Sequence, residues 1–183
     1  LKIPLNLEMA ATDEMLTIAL RHTPHAVCIV PEKRQERTTE GGLDVAAAHN
    51  HLAPFVRRLS ESGARVSMFI EPDERQLDAA KSLGAPVVEL HTGAYCDALP
   101  GAQRERHLAR IQKAATYAAK IGLECHAGHG LGYDTVGPIA AIPTLAELNI
   151  GHFLVGEAIF IGFHDAIQRM RIAMDTARTS VAT

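Results

Sequence analysis

Short apolar runs rich in β-branched residues alternate along this chain with longer amphipathic stretches. Residues 26–30 are wholly apolar and stop at Pro31, the pattern of a strand buried on both faces. Similar runs at 66–70 and 87–91 predict two more strands, and 5–9, 123–127 and 153–155 complete a set of six. The stretches between them carry helix signals. Thr12 caps a predicted helix through Leu20, with Asp13 and Glu14 in the first turn, where the helix dipole favours acids. Asp44 is the N-cap of a helix through Ser60 that closes at Gly63. Pro72 or Asp73 opens a helix carrying Leu77, Ala80 and Leu83 ahead of Gly84, and a long helix over 103–121 stops at Gly122. The last helix, 164–178, has Ala166, Ile167, Met170 and Met174 on one face. Residues 92–101 and the glycine-rich stretch from Gly128 to Gly137 read as loops, and 145–147 as a short helical turn.

Strands that alternate with helices predict a parallel α/β protein, and strand centres about 30 residues apart match one βα unit each. Two architectures fit: a doubly wound open sheet, or a (β/α)8 TIM barrel with six of its eight units present. A full barrel takes about 250 residues, and this chain has 183.

Composition narrows the partners. Hydrophobic residues make up 47% and charged residues 21%, an ordinary globular balance in one domain, 1–183. No apolar run approaches the roughly 20 residues that span a bilayer, and the first residues do not read as a signal peptide. Eighteen Lys and Arg against twenty-one Asp and Glu give a net charge of −3, with no basic tract to bind nucleic acid. Cys28, Cys96 and Cys125 are odd in number and widely spaced, which suits a reducing, cytoplasmic setting.

Polar residues collect where the predicted strands end: Glu8 after the first, residues 38–42 after the second, Glu89 and His91 on the fourth, His126 and His129 at the fifth, Gly151 and His152 near the sixth. That edge binds ligands in both candidate architectures. His126 and His129 are three apart, so they reach one metal ion only if the chain turns at Gly128; metal ligation, a structural histidine cluster and acid–base catalysis all remain open at this point. Glycines beside His129 and His152 let backbone amides approach a phosphate, and residues 156–158 stand at a comparable predicted strand end. Glu157 would repel such a group if it pointed inward, and Lys33 and Arg34 read as a solvated loop.

Longer motifs change the picture. Asn6-Leu7-Glu8-Met9-Ala10, Pro31-Glu32-Lys33-Arg34-Gln35-Glu36, Thr38-Thr39-Glu40-Gly41-Gly42, Glu89-Leu90-His91-Thr92-Gly93, Ala127-Gly128-His129-Gly130-Leu131 and Leu148-Asn149-Ile150-Gly151-His152 follow one another in order. With them the chain resembles the pyridoxine 5′-phosphate synthase family of vitamin B6 biosynthesis. The resemblance implies a cytoplasmic (β/α)8 barrel that assembles as a homo-oligomer, an octamer. It further implies condensation of 3-amino-2-oxopropyl phosphate with 1-deoxy-D-xylulose 5-phosphate, without metal or organic cofactor. Carried over by motif, Glu8 and His129 are acid–base catalysts, Thr38 contacts the deoxyxylulose phosphate, and Gly130, Gly151 and His152 contact the aminooxopropyl phosphate. Glu89 holds a substrate hydroxyl or orients a neighbour.

The family pattern opens with two further βα units, and this sequence starts at the third. The expectation is therefore an N-terminally incomplete barrel, with about sixty residues and three catalytic groups lying upstream. Two other function classes stay in view: a metal-dependent hydrolase or aldolase built on His91, His126, His129 and His152, and a phosphate-binding remnant without turnover.

Overall fold

The computed structural model describes residues 2–31 and 41–179. Its elements are β1 (Asn6–Ala10), α1 (Asp13–His22), β2 (Ala26–Val30), α2 (Val45–Glu61), β3 (Arg65–Ile70), α3 (Glu74–Ser82), β4 (Val87–His91), α4 (Gly93–Asp97), α5 (Ala102–Lys120), β5 (Glu124–Gly128), α6 (Tyr133–Ala140), β6 (Leu145–Asn149), α7 (His152–Ile161) and α8 (Phe163–Thr179). The six strands form one parallel sheet in the order β1-β2-β3-β4-β5-β6. A doubly wound sheet reverses its strand order part-way. This one never does, so it is a run of barrel wall, and β1 and β6 each have one neighbour among the described residues.

Local signals set the helix starts. Thr12 accepts a hydrogen bond from the Met15 amide, Asp44 from Ala47 and Asp73 from Arg75, each satisfying a first-turn N–H that has no partner inside the helix.

The end of the chain differs from the sequence reading. Residues 145–149 form β6, and 153–155 lie inside α7. Leu, Ala and Glu favour helix locally, but β5 offers an open row of backbone groups, and pairing Cys125 with Leu145 and His126 with Glu147 satisfies them. The apolar run from His152 to Ile161 is ten residues long, a helix length, and the three-residue strand was a fragment of it. Residues 156–158 are consequently mid-helix and not a strand-end loop. Two helices also replace predicted loops, α4 and α6. Gly137 and Pro138 lower the helix propensity of α6, yet Thr135 Oγ1 accepts the Gly132 amide at 2.9 Å and fixes the first turn.

Alternation along the strands divides the wall into two faces. Val27, Ile29, Val66, Met68, Ile70, Val88, Leu90 and Ala127 have no exposed surface and pack with Leu52, Leu59, Leu77, Ala115 and Ile139 of the surrounding helices in one apolar core. The intervening positions, Glu8, Cys28, Ser67, Phe69, Glu89, His91, His126 and Asn149, share the other face. Barrel interiors are dominated by branched apolar side chains; here the inner face is polar, so stability resides in the helix layer. The helix layer is less complete at the end of the chain: α7 has no buried residue, and Ile159, Phe160 and Phe163 are exposed. No helix among the described residues is long and apolar enough to cross a membrane.

The division predicts unequal mutational costs. Leu90→Ala, in the helix-facing core, should lower stability by about 2–5 kcal/mol. Asn6→Ala, at an exposed inner-face position of β1, should change it by less than about 0.5 kcal/mol. Urea midpoints of the two variants check the contrast.

Candidate active site

Parallel strands bring all their C-terminal ends to one edge of the wall, and inward side chains from separate strands meet there. Glu89, in the middle of β4, is 7% exposed. Its Oε2 accepts hydrogen bonds from Asn149 Nδ2 of β6 at 2.8 Å and from the Cys28 thiol of β2 at 3.5 Å. Burial above all, with the charges of Glu8 and Glu147, pushes the Glu89 carboxyl up to about 7 against the two hydrogen bonds, which lower it. Near neutral pH it is thus divided between acid and carboxylate, the condition for a group that both gives and takes protons. Gly128, on the adjacent strand, makes this possible sterically: a Cβ there would overlap Glu89 Oε1 and crowd Asn149 O at 2.8 Å.

Glu8 lies exposed on β1 in register with Cys28. Its charge acts on both Glu89 and Cys28, so the two carboxyls face one space while only Glu89 is withdrawn from water. Burial, and after it the Glu89 charge, pushes the Cys28 thiol well up, which keeps it a neutral donor.

His129 follows the last residue of β5 and is held at a positive φ of 78°, unusual for a residue with a side chain. Thr92 fixes it there: its hydroxyl lies 2.7 Å from Gly128 O and 2.6 Å from His129 O, and its amide donates to Gly128 O at 2.9 Å. The left-handed turn places the His129 ring beside His91 and Phe69, with centroids 5.0 and 6.2 Å away.

Gly130, Gly151 and His152 are exposed at the same edge, because Gly128 and Asn149 are register partners and the two chains leave neighbouring strands together. Gly151 is the N-cap of α7, and no side chain caps that helix, which leaves its first amides available to an anion. Thr38, Lys33 and Arg34 lie outside the described residues.

The two histidines of the His126–His129 spacing have separate surroundings. His126, two residues before the strand end, is bonded to Glu124 at 2.7 Å and faces Glu147 at 3.5 Å, and Arg65 pairs with Glu124. Among the described residues no three His, Cys, Asp or Glu side chains gather as a metal site. Sequence reasoning passed over Asn149, Cys28 and Glu71 as site residues. Cys28 sits in an apolar run and reads as core. Glu71 directly follows Ile70, the same strand-end signal that marked Glu8, and was masked by the helix start at Pro72 and Asp73.

Comparison with known proteins decides among the readings. The family model described as pyridoxal phosphate biosynthesis protein PdxJ matches residues 1–176. The chain belongs to this family. A pyridoxine 5′-phosphate synthase of Rhodospirillum rubrum is 71% identical over 175 residues, covering 96% of this chain and 70% of the relative. One from Roseobacter denitrificans is 64% identical, covering 97% of this chain and 73% of the relative. Among solved structures, the Amycolatopsis orientalis BexX/CysO complex gives a TM-score of 0.60 at 16% identity over 91% of this chain and 61% of its own. A HpcH/HpaI aldolase/citrate lyase family protein from Burkholderia cenocepacia gives 0.55 at 16% identity, over 96% of this chain and 77% of its own. These two likenesses concern the fold. The PdxJ assignment also accounts for the polar inner face, since a family that makes a phosphorylated vitamin needs charged groups where other barrels place core.

The elevated Glu89 carboxyl has a measurable consequence. An unfolded glutamate titrates near 4.3 and folded Glu89 at about 7, so between those values the folded chain holds the extra proton and loses stability as pH rises. Glu89→Gln should therefore gain on the parent by about 3 kcal/mol between about pH 4 and pH 8. Urea unfolding of both proteins at the two pH values measures this; a difference that does not vary with pH means that Glu89 titrates normally.

Proposed function

We propose that this edge is the active site of a pyridoxine 5′-phosphate synthase and that Glu8 and His129 move its protons, with Glu89 beside them. The observation that carries the reading is the pair of carboxyls in unlike surroundings, one exposed and one buried with its titration at about 7, on the edge that also carries an imidazole. Joining the amine of 3-amino-2-oxopropyl phosphate to the ketone of 1-deoxy-D-xylulose 5-phosphate, with loss of water and phosphate and closure of a ring, is a series of additions and eliminations. Each needs a proton delivered to a leaving oxygen or taken from nitrogen or carbon, and groups of different proton affinity around one substrate serve these steps in turn. Glu8 takes protons as a carboxylate, His129 delivers one to the leaving group, and Glu89 supports a charged intermediate from the buried side.

Phosphorylated substrates fit the remaining features. Gly130 and the uncapped start of α7 at Gly151 and His152 receive the aminooxopropyl phosphate, and Thr38 the deoxyxylulose phosphate. The reading assigns no metal or organic cofactor, since every step is an addition, an elimination or a proton transfer. A cytoplasmic setting suits its three unpaired cysteines. Assembly into a homo-oligomer belongs to the same reading, supported by the apolar surface of Ile159, Phe160 and Phe163.

Glu8→Gln and His129→Asn should each lower turnover by on the order of 10²–10⁴ with the fold unchanged, followed by product absorbance and phosphate release with both substrates supplied. A chelator should leave the parent rate untouched. Activity lost to chelator and restored by a divalent ion would favour a metal-dependent hydrolase or aldolase, and phosphate binding without turnover in the parent would leave a binding remnant.

A further inference from the structure

His91 is 4% exposed and is held from one side only. Its Nδ1 lies 2.9 Å from Glu71 Oε1, at the end of β3, while its Nε2 is buried without a hydrogen-bond partner among the described residues. Glu71 is itself tied down: the Gly42 amide donates to Oε1 at 3.2 Å and Arg110 of α5 lies 3.3 Å from Oε2. Burial works against the Glu71 charge, but the bonds from His91 and Gly42 outweigh it and hold the carboxyl below its usual range. An ionised carboxylate accepts from an N–H, so Nδ1 carries the His91 proton and Nε2 presents a lone pair.

The Nε2 edge of His91 and the ring of His129 border the same glycine. A Cβ built on Gly93 would stand 2.7 Å from His91 Nε2, 2.9 Å from His91 Cε1 and 3.3 Å from His129 Cδ2, so the two imidazole edges flank the gap left by the glycine. Centroids 5.0 Å apart leave room for one N–H···N bond of about 3 Å. A half-turn of the His129 ring about Cβ–Cγ exchanges Cδ2 for Nδ1 and brings an N–H to the side of the gap.

We propose that Glu71 and His91 are positioning residues for His129: Glu71 accepts from His91 Nδ1, His91 Nε2 accepts from His129 Nδ1, and His129 Nε2 is thereby directed at the substrate. The inference rests on the reading of His129 as a proton-transfer residue and adds what orients it. A carboxylate behind two linked imidazoles favours the positive charge that forms when His129 takes a proton. Among the described residues, titratable groups near the pair include Arg110 of α5 and Cys96 of α4, a thiol that burial keeps neutral, and Glu89 lies two residues back on β4.

The test uses the full chain labelled with ¹⁵N-histidine, together with Glu71→Gln and His91→Gln. In the parent, His91 should show the Nδ1–H tautomer with a bonded Nε2. In both variants the His129 titration should fall by at least half a unit, the matching limb of the kcat profile should move to lower pH with it, and kcat should drop about 10–100-fold with KM within twofold. Glu71→Gln keeps the shape of the side chain and decides the matter if His91→Gln fails to fold. An unmoved His129 titration in a folded variant, or an Nε2-protonated His91 in the parent, overturns the proposal. Retention of full turnover by His129→Asn overturns the catalytic reading instead, and leaves the measured His91–His129 pairing to stand or fall by the spectra.

Discussion

Period-two alternation on parallel strands is the constraint from which the rest follows. One set of positions is apolar and sealed by the helices, with Val66, Met68 and Leu90 losing all their exposed surface. The other set is polar and faces the inside of the wall. Because the helix layer carries the stability, the inner face is free to hold groups that a core would reject: a carboxyl on β1, a thiol on β2, and a carboxyl and an imidazole on β4. Slipping any strand by one residue would turn Glu89 or His91 into the helix layer and put Leu90 in its place.

The site uses two physical devices on this frame. Desolvation sets Glu89 apart from Glu8, so two side chains of one chemical type sit in unlike surroundings within one space. Close approach of backbone does the rest. Gly128 leaves the volume that the Glu89 carboxyl fills, and Gly93 leaves the gap between His91 and His129. A side chain at either position would meet those groups themselves, and at Gly128 the backbone of Asn149 as well.

Family membership and geometry answer different questions. High identity to pyridoxine 5′-phosphate synthases says which reaction belongs to chains of this kind. The coordinates say how polar groups of the inner face and its edge are held: Glu89 by Asn149 and Cys28, His129 by Thr92, His91 by Glu71. None of those four supporting contacts joins residues closer than twenty positions in sequence, which is why motif reading names the groups and leaves out their partners.

Local signals in the chain specify a parallel α/β fold, its first five strands with most of the helices between them, and a set of polar residues that could react. Strand runs such as 26–30 and 87–91 and the caps Thr12, Asp44 and Asp73 are local signals, and local signals act through neighbours that any reader of the chain can see. His129 was legible as a polar residue just past a strand; Glu8, expected after the first strand, lies inside β1 and was legible as a carboxylate in an otherwise apolar run. Where the outcome hung on a distant partner, only the tertiary structure decided. Residues 145–149 became a strand because β5 stood open beside them, and 153–155 became helix as part of a longer apolar run. The separate fates of His126 and His129 turned on a left-handed backbone at one residue and on carboxylates from two different strands. Proton affinity at Glu89 depends on how much water three strands exclude, a property of packing that no stretch of sequence carries alone.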